Sequence, residues 1–413
     1  MYGSIAIVGA SLAGLNAAGS LRREGFEGDL IVVDADPATP YDKPPLSKQL
    51  LAGSWDVDRI TLPGAKPDAD LGIQWRLGER VAELEAADRR LRLASGEKIA
   101  YDGLVIATGA HARMLPGAGE FSGVHVLRTL ADCLAVRDAL DGGVTDVVVI
   151  GAGFIGAEVA ATCRERGCTV TILEAAEVPF ERSLGRVIGP VVADLHRDHG
   201  VDVRLGVGVD TIEADRSVHH KPVTGVRLAD GSVVPAQLVV VGIGVAPSVD
   251  WLAGASPPLT VDNGVVTDAT LLAAPGVVAA GDIARWPSAR YGELLRIEHW
   301  ENAIQMGEHA GRTLLAHAQD RPADAEAYDP VPWFWSDMFD RKIQLAGRSG
   351  PDHDVEVVIG SLEERRFVAL YGRDGRVDGV LGWNRPRHVM QLRTLAEEHV
   401  PWADGLARAR ELA

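Results

Sequence analysis

Residues 146–174 read DVVVIGAGFIGAEVAATCRERGCTVTILE. A β-branched run leads into Gly151-x-Gly153-x-x-Gly156. An Ala-rich helix follows, and a second β-branched run ends in Glu174. This pattern predicts a βαβ unit with a Gly-rich strand-to-helix turn. The first glycine permits the tight turn. The second lets the backbone approach a pyrophosphate, and the third lets helix and strand pack closely. The helix N-terminus then turns its positive end toward the anion. Glu174 lies eighteen residues beyond Gly156, where a carboxylate accepts hydrogen bonds from both adenosine ribose hydroxyls. The plainer alternative is a solvated strand-end acid. No Arg or Lys follows Glu174 before Arg182, so a 2′-phosphate has no cation to meet. The pattern favours NADH over NADPH.

The same rhythm occurs earlier. Residues 4–34 read SIAIVGASLAGLNAAGSLRREGFEGDLIVVD, with Gly9-x-Ser11-x-x-Gly14 as the turn. Ser11 replaces the middle glycine and is small enough to be tolerated. Asp34 closes the second strand, and Asp36 is its rival for a ribose contact. Each unit is followed by an alternating stretch and a return strand, 76–109 ending YDGLVIATG and 201–244 ending PAQLVVVGIG. Two nucleotide sites in one chain suggest FAD and a nicotinamide nucleotide. In AGDIA, 280–284, Asp282 after Gly281 suits a polyhydroxylated ribityl chain, or caps a helix. From residue 328 the chain turns aromatic and alternating, then closes on PRHVMQLRTLAEE.

The expected fold is therefore α/β: two Rossmann-like dinucleotide-binding domains plus a C-terminal α+β domain. The expected boundaries are 1–110 with 243–326 for FAD, 111–242 for NADH, and 327–413 for the last domain.

Bulk composition narrows the function. The chain has 413 residues and a formal net charge of −17, which argues against binding nucleic acid phosphates. Three cysteines are too few and too odd in number for a disulfide framework, so a reducing cytoplasm is expected. No apolar run of membrane-spanning length occurs, and the N-terminus lacks a basic signal-peptide region.

Six collinear motifs carry a resemblance: PYDKPPLSK at 40–48, IATG at 106–109, GAGFIGAE at 151–158, AGDIA at 280–284, EHWENAIQ at 298–305 and PWFWSD at 332–337. On these the chain resembles the two-dinucleotide-binding, glutathione-reductase-like flavoproteins. Within them it is similar to the NADH-dependent ferredoxin reductases of the putidaredoxin reductase and biphenyl dioxygenase reductase type. The resemblance covers essentially the whole chain. It implies hydride transfer from NADH to FAD, then single electrons to a [2Fe–2S] ferredoxin serving a cytochrome P450 or a Rieske-type oxygenase. It implies FAD contacts by Gly9, Ser11, Ala13, Gly14, Asp34, Lys43, Lys48, Val81, Thr108, Gly109, Arg128, Gly281, Asp282 and Trp300. For NADH it implies Gly151, Gly153, Ile155, Gly156, Glu158, Glu174, Arg182, Gly242 and Gly244. Lys48, Glu158 and Trp335 are the candidates nearest the chemistry, and no metal site is expected. Two departures stand out. The family has Gly-Asp where this chain has Asp34-Ala35, and its PWFWSDQ ends here in Met338.

The cysteines bear on where electrons go. In glutathione-reductase-like relatives the redox pair lies shortly after the first βαβ unit. Here that stretch, PYDKPPLSKQLL, has no cysteine and offers Lys48. A lysine there stabilises negative charge on reduced flavin or pairs with an acid; the plainer alternative is a solvated lysine. Cys163 and Cys168 lie in the second unit and are expected to be small buried residues. Trp300, Trp333 and Trp335 are candidates for the flavin edge, or core. The alternatives kept open are an NADH oxidase, a rubredoxin reductase, and a non-turnover FAD/NADH sensor. Partner ferredoxins of this type are acidic. Residues 328–413 carry 12 basic against 14 acidic side chains, and Arg341, Lys342, Arg385 and Arg387 are candidates for docking. A monomer or weak dimer is expected, with no membrane partner.

Overall fold

The computed structural model describes residues 2–66, 70–255 and 259–412. They group into two compact units, described in turn. The first comprises 1–42, 57–111 and 245–330; the second comprises 43–56, 112–244 and 331–413.

The first unit is built on a six-stranded sheet. Its order is Leu272–Ala274, Val277–Ala279, Gly103–Ile106, Ser4–Val8, Asp29–Asp34 and Ile73–Leu77. All neighbours are parallel except the first pair. Near-continuous apolar runs such as IAIV and LIVV suit strands covered on both faces. Helices Leu12–Arg23 and Trp300–Ala318 pack closely on each other: a Cβ at Gly307 would lie 2.3 Å from the Ala13 carbonyl oxygen. The alternating stretch after residue 76 splits in two. Ile73–Leu77 joins the parallel sheet beside Asp29–Asp34. The antiparallel ribbon begins only at Val81 and runs Val81–Glu85, Arg90–Leu93, Lys98–Ala100.

The second unit carries two five-stranded sheets and a small antiparallel ribbon, Val209–Ala214, Val223–Leu228, Val233–Pro235. One is all-parallel, in the order Asp202–Leu205, Thr169–Glu174, Asp146–Ile150, Leu238–Val241, Val124–Val126. Helix Phe154–Glu165 follows its central strand. The other is antiparallel: Trp333–Met338, Arg341–Gly347, Arg376–Trp383, Arg366–Arg373, Asp354–Ser361. One core joins helix Phe154–Glu165, helix Glu181–Asp198 and the inner face of the antiparallel sheet, through Ala157, Leu184, Ile188, Met338, Phe367 and Trp383. PRHVMQLRTLAEE forms helix Pro386–Glu397 as expected, but it is not the last: a further helix, Trp402–Arg410, follows it.

The fingerprint glycines of this unit differ in what crowds them. A Cβ at Gly156 would lie 2.2 Å from the Gly151 carbonyl oxygen, whereas one at Gly153 meets nothing within 4 Å. Gly156→Ala is therefore expected to destabilise the protein by about 2 kcal/mol or more. Gly153→Ala is expected to leave the thermal midpoint nearly unchanged and to weaken nicotinamide nucleotide binding. Thermal melts and NAD titration check the pair.

Candidate functional site

In the first unit the candidate residues gather where parallel strands end. Gly9 follows Ser4–Val8, Thr108 and Gly109 follow Gly103–Ile106, and Gly281 and Asp282 follow Val277–Ala279. Open α/β sheets bind ligands at that edge. Backbones approach closely here. A Cβ at Gly9 would lie 2.1 Å from the Ala107 carbonyl oxygen, and one at Gly14 1.9 Å from that of Gly9. One at Gly281 would lie 2.9 Å from the Ala13 methyl. Thr108 donates its hydroxyl to the Ser248 carbonyl at 3.0 Å. Val81 is buried at the start of the ribbon. Trp300 opens its helix, and its indole N–H donates to Asp42 Oδ1 at 2.7 Å.

The two halves match at their strand-end acids. Asp34 Oδ2 accepts from the Ala10 amide at 2.6 Å and Oδ1 from the Asp36 amide at 2.8 Å. Glu174 Oε2 accepts from the Ala152 amide at 2.7 Å and Oε1 from the Ala176 amide at 2.8 Å. Asp34 is thus the counterpart of Glu174. Asp36 instead accepts from the Tyr41 hydroxyl at 2.7 Å and the Ala38 amide at 3.0 Å.

The residues present fit two anionic dinucleotides. The N-cap residues Ser11 and Gly153 make no side-chain cap, and neither helix has an acid in its first turn. Their leading amides are left for an external acceptor. No protein atom crowds Gly153, so close approach of a phosphate is the remaining reason for a glycine there. Gly244 is likewise uncrowded, with φ +95°. Ile155 is half-buried in the first turn, Gly242 lies against Gly156, and Arg182 is exposed on helix Glu181–Asp198.

Lys43, Lys48 and Arg128, expected among the FAD contacts, all group with the second unit. Lys43 precedes the short helix Pro44–Ser47, and the Arg128 amide donates to Asp132 Oδ2 at 3.0 Å. Lys48 meets Glu158: its ammonium lies 2.7 Å from Oε2. Ser47 Oγ donates to the same oxygen at 2.5 Å, and Ser336 Oγ donates to Oε1 at 2.5 Å. Glu158 is only 6% exposed. A buried carboxylate needs such partners. Two further residues of its helix clamp the same segment. Thr162 Oγ1 donates to the Ser47 carbonyl at 2.7 Å, and Arg166 Nη1 donates to that of Leu51 at 3.1 Å. Sequence reading missed Ser47, Ser336, Thr162 and Arg166. The available signal was Glu158, Thr162 and Arg166 at four-residue spacing on an Ala-rich helix. Trp335 adjoins Ser336 on strand Trp333–Met338.

The cysteines take no part in this. Cys133, Cys163 and Cys168 are free and buried. Burial pushes the Cys163 thiol up to about 12 and the Cys133 thiol to about 11, and it raises Cys168 as well. Reactive thiols show the opposite shift.

Residues 3–307 match the model of the pyridine nucleotide-disulphide oxidoreductases, and residues 333–409 match the reductase C-terminal domain. The chain belongs to the pyridine nucleotide-disulphide oxidoreductase family. It is 36% identical to rhodocoxin reductase of Rhodococcus erythropolis over 96% of this chain and 90% of that protein. It is 40% identical to the 5,5'-dehydrodivanillate O-demethylase ferredoxin reductase subunit of Sphingobium sp., over 94% and 92%. The putidaredoxin reductase in its covalent complex with putidaredoxin has a similar structure, with TM-score 0.88 and 33% identity over 96% of this chain and 94% of that one. The expected α/β architecture with a C-terminal domain stands. So does the expectation of an oxidoreductase of the ferredoxin reductase group that uses NAD(H) and FAD. Among the described residues no helix is long and apolar enough to cross a membrane.

With all three thiols buried and protonated, the folded protein is expected to resist iodoacetamide at pH 8 and to take up three equivalents after unfolding. Mass spectrometry counts the adducts; rapid labelling of the native protein at Cys163 or Cys168 would contradict a structural role.

Proposed function

We propose that the chain carries electrons from NADH to a [2Fe–2S] ferredoxin serving a cytochrome P450 or Rieske-type oxygenase. The observation that carries this reading is Lys48 paired with the buried Glu158, in a segment without cysteine. FAD, when bound, accepts an electron pair and releases electrons singly, as an iron–sulfur acceptor requires. The protein's own residues bind, orient and exclude water. Gly9, Ser11, Ala13, Gly14, Thr108, Gly109, Gly281 and Asp282 would hold the FAD pyrophosphate and ribityl chain, with Asp34 on the adenosine ribose. Gly151, Gly153, Ile155 and Gly156 would take the NADH pyrophosphate, with Gly242 and Gly244 near its nicotinamide half. Glu174 would hold its ribose and disfavour a 2′-phosphate. Lys43, Val81, Arg128 and Arg182 would complete these contacts. Lys48, held by Glu158, would offer a positive charge to a reduced flavin. Trp300 and Trp335 would line the flavin edge.

The three-domain division with boundaries at 110, 242 and 326 remains our proposal, as do the cytoplasmic location and the monomer or weak dimer. For docking, the four candidate cations separate. Arg341 faces Asp340 at 2.9 Å and Lys342 faces Asp337 at 3.3 Å. Among the described residues, Arg385 and Arg387 pair with no carboxylate. An acidic ferredoxin would meet uncompensated charge at Arg385 and Arg387.

NADH consumption in air, with and without an oxidised [2Fe–2S] ferredoxin, tests the reading. Stimulation of tenfold or more by ferredoxin is expected. Fast consumption without it, yielding peroxide or water, would make the protein an oxidase. Arg385→Glu with Arg387→Glu is expected to raise the apparent KM for ferredoxin about tenfold while leaving ferricyanide reduction unchanged. Equal effects on both acceptors would count against docking there.

A further inference from the structure

We propose that Ser336, with Ser47, is a positioning residue of the reaction: it fixes the plane of the Glu158 carboxylate, and so the place of the Lys48 ammonium. This deepens the reading above and rests on it.

The geometry divides the carboxylate between two tasks. Oε2 takes Ser47 Oγ at 2.5 Å and Lys48 Nζ at 2.7 Å. Oε1 takes Ser336 Oγ at 2.5 Å. A carboxylate held at one oxygen can swing about its Cγ–Cδ bond. Held at both, its plane is set. Lys48 follows the short helix Pro44–Ser47 and reaches the acid with a flexible stem, so its ammonium is placed by Oε2 at 2.7 Å and more weakly by the Pro44 carbonyl at 3.4 Å. Both hydroxyls are out of water, Ser336 at 0% and Ser47 at 5% exposure. They are bound to a partner as buried hydroxyls require.

The position of Ser336 argues for a task of its own. Side chains alternate along a strand, so Phe334, Ser336 and Met338 share one face. Met338 and Phe334 belong to the apolar contact with the two helices. An apolar side chain between them would be the ordinary choice; a serine breaks that face opposite Glu158. The register across the contact is repeated. The Phe334 and Phe154 rings lie 4.3 Å apart, and Ser336 meets Glu158. Two strand residues advance about 6.7 Å and four helical residues about 6 Å, so successive inward strand positions meet successive turns of the helix. Phe154 opens the helix immediately after Gly153. Trp333 and Trp335 project from the opposite face of the strand. The serine thus ties the rotation of the tryptophan-bearing strand to the helix of the nicotinamide fingerprint.

The FAD-loaded protein tests this. Ser336→Ala is expected to slow anaerobic reduction by NADH about tenfold with little change in the NADH concentration at half-maximal rate. Ser336→Thr, which keeps the hydroxyl, is expected to restore most of the rate. Ser349→Ala removes another buried-side hydroxyl contact, to the Ser183 carbonyl at 2.5 Å, and is expected to leave the rate unchanged. Thermal melting gives a second readout independent of turnover. Ser336→Ala and Glu158→Gln are expected to be non-additive, the double variant melting close to the worse single one. Additive melting shifts, with a Ser336→Ala rate like the wild type, would overturn the proposal. The reading beneath it fails separately: in that case Glu158→Gln itself leaves NADH reduction untouched.

Discussion

Glu158 is a carboxylate almost wholly removed from water, and much of the second unit is arranged around keeping it there. Isolated, such a charge would be very costly to bury. It is held by one ammonium and two hydroxyls, drawn from segment 43–56 and strand Trp333–Met338. Two stretches far apart in sequence are thereby fixed to one helix turn. Losing any one donor leaves a buried charge short of a partner, a larger loss than the bond itself. That asymmetry makes the cluster a constraint on register as well as a source of charge.

Around it, the two halves repeat one solution. In each, a strand-end acid accepts the amide after the first fingerprint glycine and the amide two residues after itself. Each helix that follows the turn begins uncapped. These features leave two uncapped helix ends, each with an acid beside it. A nucleotide pair, and no disulfide, then accounts for the chemistry of the chain.

The fold was legible where local rules govern. Gly9, Gly14, Gly151 and Gly156 announced themselves because backbone atoms lie where a Cβ would be. The small buried cysteines were legible from their place on an Ala-rich helix and the next strand. That Asp34, and not Asp36, is the counterpart of Glu174 was not, because it depends on the Ala10 amide reaching Asp34 and the Tyr41 hydroxyl reaching Asp36. Segment 43–56 was kept with the first half by chain order, but three side chains at four-residue spacing, Glu158, Thr162 and Arg166, bind it to the second. Such a clamp is tertiary, and no local pattern in 43–56 reveals it. That Arg341 and Lys342 each face an acid, Asp340 and Asp337, follows from strand pairing and side-chain placement and not from the basic residues alone.

The central claim is that electrons enter as a pair from NADH and leave singly to an iron–sulfur partner without a thiol relay. Anaerobic double-mixing stopped-flow tests it most directly. The yellow protein is reduced with one equivalent of NADH, then mixed with an oxidised [2Fe–2S] ferredoxin, and both chromophores are followed. Rapid cluster reduction is expected, two clusters per NADH, unaltered when all three cysteines are replaced by alanine. A reduced flavin that leaves the cluster oxidised yet empties rapidly into oxygen would contradict it.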